Sequence, residues 1–176
     1  MPSYFTNRVK IEKKLLPHYD QRPENTEINT IVIHSLCSTC EGRESDPQEC
    51  IAELDKHEVA AHYLIDIEGN ITQLVEEKNR AWHAGDSKLP KEHGGIENVN
   101  DFSIGIELIN EKNTKFSEQQ YIALSKLCQK IMNENPIKFI VGHEKIALPL
   151  GRKEDPGEMF DWAKLKETLN ASVTFI

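Results

Sequence analysis

The sequence predicts an α/β fold, a central mixed β-sheet flanked by helices. Three observations carry this reading. Short apolar, β-rich runs recur at residues 27–34, 62–67, 71–75, 103–109 and 139–141. Two stretches with helix-start signals lie between those runs, and a third helical stretch closes the chain at 161–169. Alternating strand and helix patterns of this kind place helices against a shared sheet.

In chain order, residues 1–26 are polar, carry Pro17 and Pro23, and read as an N-terminal arm lying over a single domain at 27–176. Residues 27–34 alternate and then turn wholly apolar, as a central strand does. Asp46 before Pro47 is a capping residue with proline in the first turn. It starts a helix to about His57 that buries Cys50, Ile51 and Leu54. Glu68-Gly69-Asn70 is a hairpin turn between two short strands. Residues 76–101, with Gly85, Gly94 and Gly95 and little periodicity, read as a long loop, either functional or disordered. After the strand at 103–109, Ser117 and Gln120 form a capping box. That helix shows Tyr121, Leu124, Cys128 and Ile131 on one face and ends at Pro136.

The composition narrows the function classes. A formal charge of −8 over 176 residues argues against a nucleic-acid binder, which would show a basic stripe. No stretch approaches the roughly 18 apolar residues of a membrane span. The first ten residues lack the apolar core of a secretory signal. Reduced thiols at Cys37, Cys40, Cys50 and Cys128 and a cytoplasmic location are therefore expected, with export by another route as the alternative. A monomer is the default.

Chemistry concentrates at strand ends. His34 and His143 each follow an apolar strand, and Asp155 lies in a Pro/Gly-punctuated loop. Two imidazoles and a carboxylate could hold a zinc ion with a fourth position left for water. On spacing alone, three unrelated structural residues fit equally well. Glu107 interrupts an apolar run: it either alternates onto a solvated face or supplies a proton acceptor, with Gly105 leaving room for substrate. Lys153 is either a solvated loop lysine or an oxyanion partner. Trp82 and His83 suit either packing or the wall of a sugar or peptide site. Cys37 and Cys40 form a single CxxC, a redox pair or half a zinc knuckle, with no second CxxC to complete one.

Six segments together resemble the zinc-dependent N-acetylmuramoyl-L-alanine amidases of the AmpD type, relatives of peptidoglycan recognition proteins. They are Val32-Ile33-His34-Ser35, Ala61-His62-Tyr63-Leu64-Ile65, Arg80-Ala81-Trp82-His83-Ala84-Gly85, Asn100 to Leu108, Gly142-His143, and Gly151-Arg152-Lys153-Glu154-Asp155-Pro156-Gly157. They occur in the family's order across about residues 27–165. The resemblance implies Zn2+ on His34, His143 and Asp155, Glu107 as the catalytic carboxylate, and Lys153 beside the developing oxyanion. It implies substrate contacts from Trp82, His83, Ser35 and Arg152. The implied substrate is a muropeptide or peptidoglycan, cut between the lactyl group of N-acetylmuramic acid and L-alanine. Ala61 stands where some relatives carry a catalytic tyrosine, which leaves proton transfer to Glu107. The His143–Asp155 loop, with Ala147-Leu148-Pro149-Leu150, is longer than usual for the motif, and Ser35 replaces an asparagine of some relatives. Two rivals stand beside this reading: a non-catalytic peptidoglycan binder on the same fold, and a phosphoesterase, which would need more carboxylates.

Overall fold

Residue alternation along the central strands divides the interior into two faces. The computed structural model describes residues 9–111, 113–169 and 172–176. At its centre lie β3 (Thr30–Leu36) and β7 (Ser103–Ile109), paired in parallel, with β8 (Phe139–Gly142) parallel on the far side of β3. Ile31, Ile33, Ile104, Ile106, Leu108 and Ile140 point to one face. There they meet Tyr121, Leu124, Leu127, Cys128 and Ile131 of helix α2 (Glu118–Glu134), and Leu165 and Leu169 of helix α4 (Trp162–Leu169). The opposite face carries two smaller clusters. One gathers Cys50, Ile51 and Leu54 of α1 (Pro47–Lys56) with Leu64, Leu74 and Ile109. The other joins Val32 and Val141 to Ala84, Leu89, Val99, Phe102 and Ile146. His34, Ser103, Gly105 and Glu107 alternate onto this second face, between its two clusters.

Helix starts fall where local chemistry places them. Asp46 accepts from the amides of Gln48 and Glu49, and Pro47 occupies the first turn of α1. Ser117 and Gln120 form the reciprocal capping box of α2. Strands β4 (Tyr63–Ile65) and β5 (Ile71–Gln73) pair as an antiparallel hairpin. Its turn is tied by Asp66 accepting from the Asn70 amide, with Gly69 at φ +83°.

The seven-stranded sheet runs β1-β5-β4-β7-β3-β8-β9, mixed as expected. Its edge strands are additions to the sequence reading. β1 (Ile11–Lys13) pairs in parallel with β5, and β9 (Thr174–Phe175) pairs in parallel with β8. β2 (Tyr19–Gln21) and β6 (Asn79–Ala81) form a separate antiparallel pair. The described part of the expected arm is therefore woven into the domain instead of lying over it. The 76–101 segment, expected as a loop, is likewise an ordered layer that runs on into Phe102. It holds β6 and two short 3-10 turns, and it covers the second face through Ala81, Ala84, Leu89, Val99 and Phe102.

Arg22 is the strongest tie between the two segments. Its Nε donates to the Glu77 carbonyl at 3.1 Å, Nη1 to Asn100 and Asp101 at 3.0 and 2.7 Å, and Nη2 to Ser103 at 2.8 Å. Burial pulls its pKa down to about 10, against the charges of Asp101 and Glu77, so it stays cationic at neutral pH. Arg22→Ala leaves these carbonyls without donors and is expected to destabilise the fold by ~2–4 kcal/mol. The midpoint of urea unfolding measures this, and a change under ~0.5 kcal/mol would show the clamp to be dispensable.

A candidate metal centre at the carboxyl ends of the parallel strands

Three parallel strands deliver their chemistry to one edge. His34 on β3 is the register partner of Glu107 on β7, so both side chains share the second face. Ile33 pairs with Gly142, which puts His143 at the same level as it opens the short helix α3 (His143–Ile146). Crevices outside the carboxyl ends of parallel strands are the usual ligand sites of α/β folds. The loop after α3 then brings Asp155 back: its carbonyl accepts from the Glu144 amide at 3.0 Å.

His34 Nδ1, His143 Nδ1 and Asp155 Oδ2 form a triangle with edges of 3.1, 3.0 and 3.1 Å. Both histidines are buried. Among the described residues this is the one group of three or more His, Cys, Asp or Glu side chains arranged to hold a metal ion. His143 Nε2 donates to the Ala84 carbonyl at 3.0 Å, so in the neutral ring Nδ1 keeps its lone pair. His34 Nε2 lies 2.9 Å from His83 Nδ1, so a His34 ring protonated at Nε2 likewise leaves its Nδ1 lone pair free. In these tautomers three electron-pair donors face one another. A tetrahedral ion with bonds of about 2.0 Å separates its ligands by about 3.3 Å, close to this triangle. The donor set fits such an ion.

Electrostatics point the same way. Burial lowers the His34 pKa, favouring the neutral ring a metal requires. Burial would raise Asp155, but in the metal-free site protons on the facing His143 and His34 nitrogens, donated to the carboxylate, outweigh it and hold the carboxylate well below its ordinary range. Glu107 is the opposite case. Burial, reinforced by the Asp155 charge, pushes its carboxyl well above the usual range, while Lys153 pulls it down. Glu107 Oε2 is buried and has no hydrogen-bond partner within the protein. Lys153 itself is exposed on the loop, and its charge also bears on His34.

Other expected site residues take different places. Trp82 is exposed on the surface, with the His18 ring 6.4 Å away. His83 does not form a wall: it is buried behind His34, because Ser103 Oγ holds its Nε2 at 3.1 Å. The space above Gly105, expected for substrate, is filled by that imidazole. A Cβ at Gly105 would lie 2.6 Å from His83 Cγ. Ser35 Oγ donates to the Pro156 carbonyl at 3.3 Å, tying β3 to the Asp155 turn. Arg152 spends its donors on the carbonyls of Leu148, Ala84 and Asp86, fastening the long loop to residues 84–86. Leu150 stands exposed at the loop's tip. Cys37, Cys40, Cys50 and Cys128 are all free, and Cys37 and Cys40 take no part in the metal-ligand group.

Sequence reasoning gave no role to His62 or Asn100. His62 is fully buried and neutral, its pKa lowered to about 3 by burial and the Arg22 charge. Its Nδ1 accepts from the Gly105 amide at 3.0 Å. Asn100 Oδ1 accepts from the amides of His83 and Ala84 at 3.3 and 2.8 Å. Both residues stand inside the recognised segments, but only the folded contacts distinguish them from their neighbours.

Comparison with known proteins places the chain in a family. The chain matches the family model described as N-acetylmuramoyl-L-alanine amidase over residues 24–158. It is 38% identical over 178 residues to the 1,6-anhydro-N-acetylmuramyl-L-alanine amidase AmpD of Haemophilus influenzae, covering 88% of this chain and 94% of that one. It is 35% identical to the AmpD of Escherichia coli, covering 90% and 91%. A solved structure of an AmpD selenomethionine derivative superposes with a TM-score of 0.74 at 32% identity, over 93% of this chain and 94% of that one. The Escherichia coli N-acetylmuramyl-L-alanine amidase AmiD was solved with the substrate anhydro-N-acetylmuramic acid-L-Ala-D-gamma-Glu-L-Lys. It matches with a TM-score of 0.68 at 32% identity, over 84% of this chain and 60% of that one. A match that runs from before β3 to beyond Asp155, joined by relatives similar along nearly their whole length, makes this chain an amidase of the N-acetylmuramoyl-L-alanine amidase family.

Proposed function

We propose that this amidase is a zinc enzyme, with His34, His143 and Asp155 as ligands. Its substrate is the amide joining 1,6-anhydro-N-acetylmuramic acid to L-alanine in soluble muropeptides. The observation that carries the reading is the triangle of donor atoms one strand away from a buried carboxyl oxygen with no partner. The similar 1,6-anhydro-N-acetylmuramyl-L-alanine amidases, and the anhydro-muropeptide substrate solved with AmiD, support the substrate class.

Bound zinc would supply Lewis acidity and lower the pKa of the water it holds to about 7. The remaining work falls to the chain. Glu107 takes the proton of the attacking water at Oε2, the atom that no protein group occupies. It then returns that proton to the alanine nitrogen as the C–N bond breaks, because an unprotonated amine leaves poorly. Burial raises the Glu107 pKa in the metal-free chain, and a cation held beside it would lower that pKa and return the carboxylate that can accept a proton. Lys153, exposed on the loop that carries Asp155, would supply its ammonium to the charge that gathers on the carbonyl oxygen. Trp82 offers an exposed aromatic surface to the sugar or peptide. Work on soluble fragments in the cytoplasm suits the four free thiols.

Metal analysis with digestion of an anhydro-muropeptide tests this. One zinc per chain and release of a peptide with an L-Ala amino terminus are expected, with intact murein cut more slowly. Zinc without cleavage would sink the catalytic assignment, and absence of zinc would sink the ligand set.

A further inference from the structure

The chain gives its two candidate metal histidines a shared support. His34 Nε2 lies 2.9 Å from His83 Nδ1, and His83 Nε2 lies 3.1 Å from Ser103 Oγ. The next residue, Ala84, accepts from His143 Nε2 through its carbonyl at 3.0 Å. Consecutive residues thus meet the far nitrogens of both rings. The pair is itself pinned, because Asn100 Oδ1 takes the amides of both His83 and Ala84. The slot for the His83 ring exists only because residue 105 lacks a side chain. Ser103 and Gly105 stand two apart on β7, on the face that also carries Glu107. One strand therefore supplies the anchor for the His83 ring, the space it fills and the carboxylate.

We propose that His83 is a positioning residue for the metal centre: it accepts the Nε2 proton of His34 and donates its own Nε2 proton to Ser103 Oγ, holding the His34 Nδ1 lone pair toward the metal. The proposal rests on the zinc reading above. Its logic is that of an outer partner fixing the tautomer and ring angle of a ligand, a role whose loss typically costs 10–100-fold in metal affinity. Packing alone would need only the shape of the ring, whereas positioning needs an acceptor opposite His34 Nε2. The two demands are separable by substitution.

His83→Leu keeps an apolar side chain in the slot and removes the acceptor, while His83→Asn restores an acceptor through its amide oxygen. Zinc affinity is read by chelator competition on variants whose melting curves show them folded. His83→Leu is expected to bind zinc ~10–100-fold more weakly, with His83→Asn recovering most of that loss. Wild-type affinity in the leucine variant, or equal losses in both, would overturn the proposal. If the leucine variant does not fold, nitrogen-15 spectra of the zinc-free wild type read the tautomer directly. A proton on His34 Nε2 is expected, and a proton on Nδ1 with Nε2 accepting would overturn the proposal. A wild-type chain that binds no zinc would instead remove the zinc reading, so the two failures are distinguishable.

Discussion

Glu107→Gln is expected to cut kcat by about 10²–10⁴-fold while zinc binding and the fold are retained. Glutamine keeps the size of the side chain and cannot accept the water's proton. Near-normal turnover in this variant would remove Glu107 from the chemistry. The same substitution carries a stability signature of opposite sign. Burial and the Asp155 charge raise the folded-state pKa of Glu107 well above that of the unfolded chain. Its protonated form therefore adds stability that is complete below the unfolded value of about 4.3. That contribution is lost as pH climbs to the raised folded value. Glutamine does not titrate, so the zinc-free variant should out-melt the wild type by a margin that widens from pH 4 to pH 8. Each kcal/mol of relief reads as ~2–4 °C in a chain of this size. A margin that stays flat with pH would show that Glu107 is not held protonated by its surroundings.

Removing Asp155 should produce the second large effect. A ligand bound only to the folded state at a thousandfold its Kd adds about 4.1 kcal/mol. That corresponds to a rise in Tm of roughly 8–16 °C on adding zinc to the wild-type chain. Asp155→Ala leaves two imidazoles, opens the triangle and is expected to abolish the rise together with turnover. Calorimetry with and without zinc measures it. An undiminished rise in the variant would show that the ion sits elsewhere.

Much of this was readable where the signal is short in range. The starts of α1 and α2 follow from Asp46-Pro47 and from Ser117 with Gln120, because a cap bonds amides only two or three residues away. The long strands announced themselves through runs such as Ile31–Ile33 and Ile104–Ile109. Strands β1, β2, β6 and β9 did not, since two or three residues hold no period and their partners lie far along the chain. The candidate metal ligands were visible as residue types at strand ends, but their convergence depends on the register of β3 with β7 and β8. His83 shows the limit most plainly. A histidine beside an exposed tryptophan looks like part of a surface wall, and the missing Cβ of Gly105, on the next strand in the chain, leaves the room that lets it turn inward. Arg22 carries no local mark at all.

The ladder pairing of His34 with Glu107 has an evolutionary consequence. Neighbouring strands lie about 4.8 Å apart whatever their side chains, so the distance from the proposed ligand His34 to the proposed proton carrier Glu107 is set by backbone hydrogen bonds. Asp155, Lys153 and the exposed Leu150 ride instead on a loop that can lengthen or shorten. The sheet thus acts as a fixed ruler for the bond-breaking step. Changes in the loop therefore leave the spacing of His34 and Glu107 untouched.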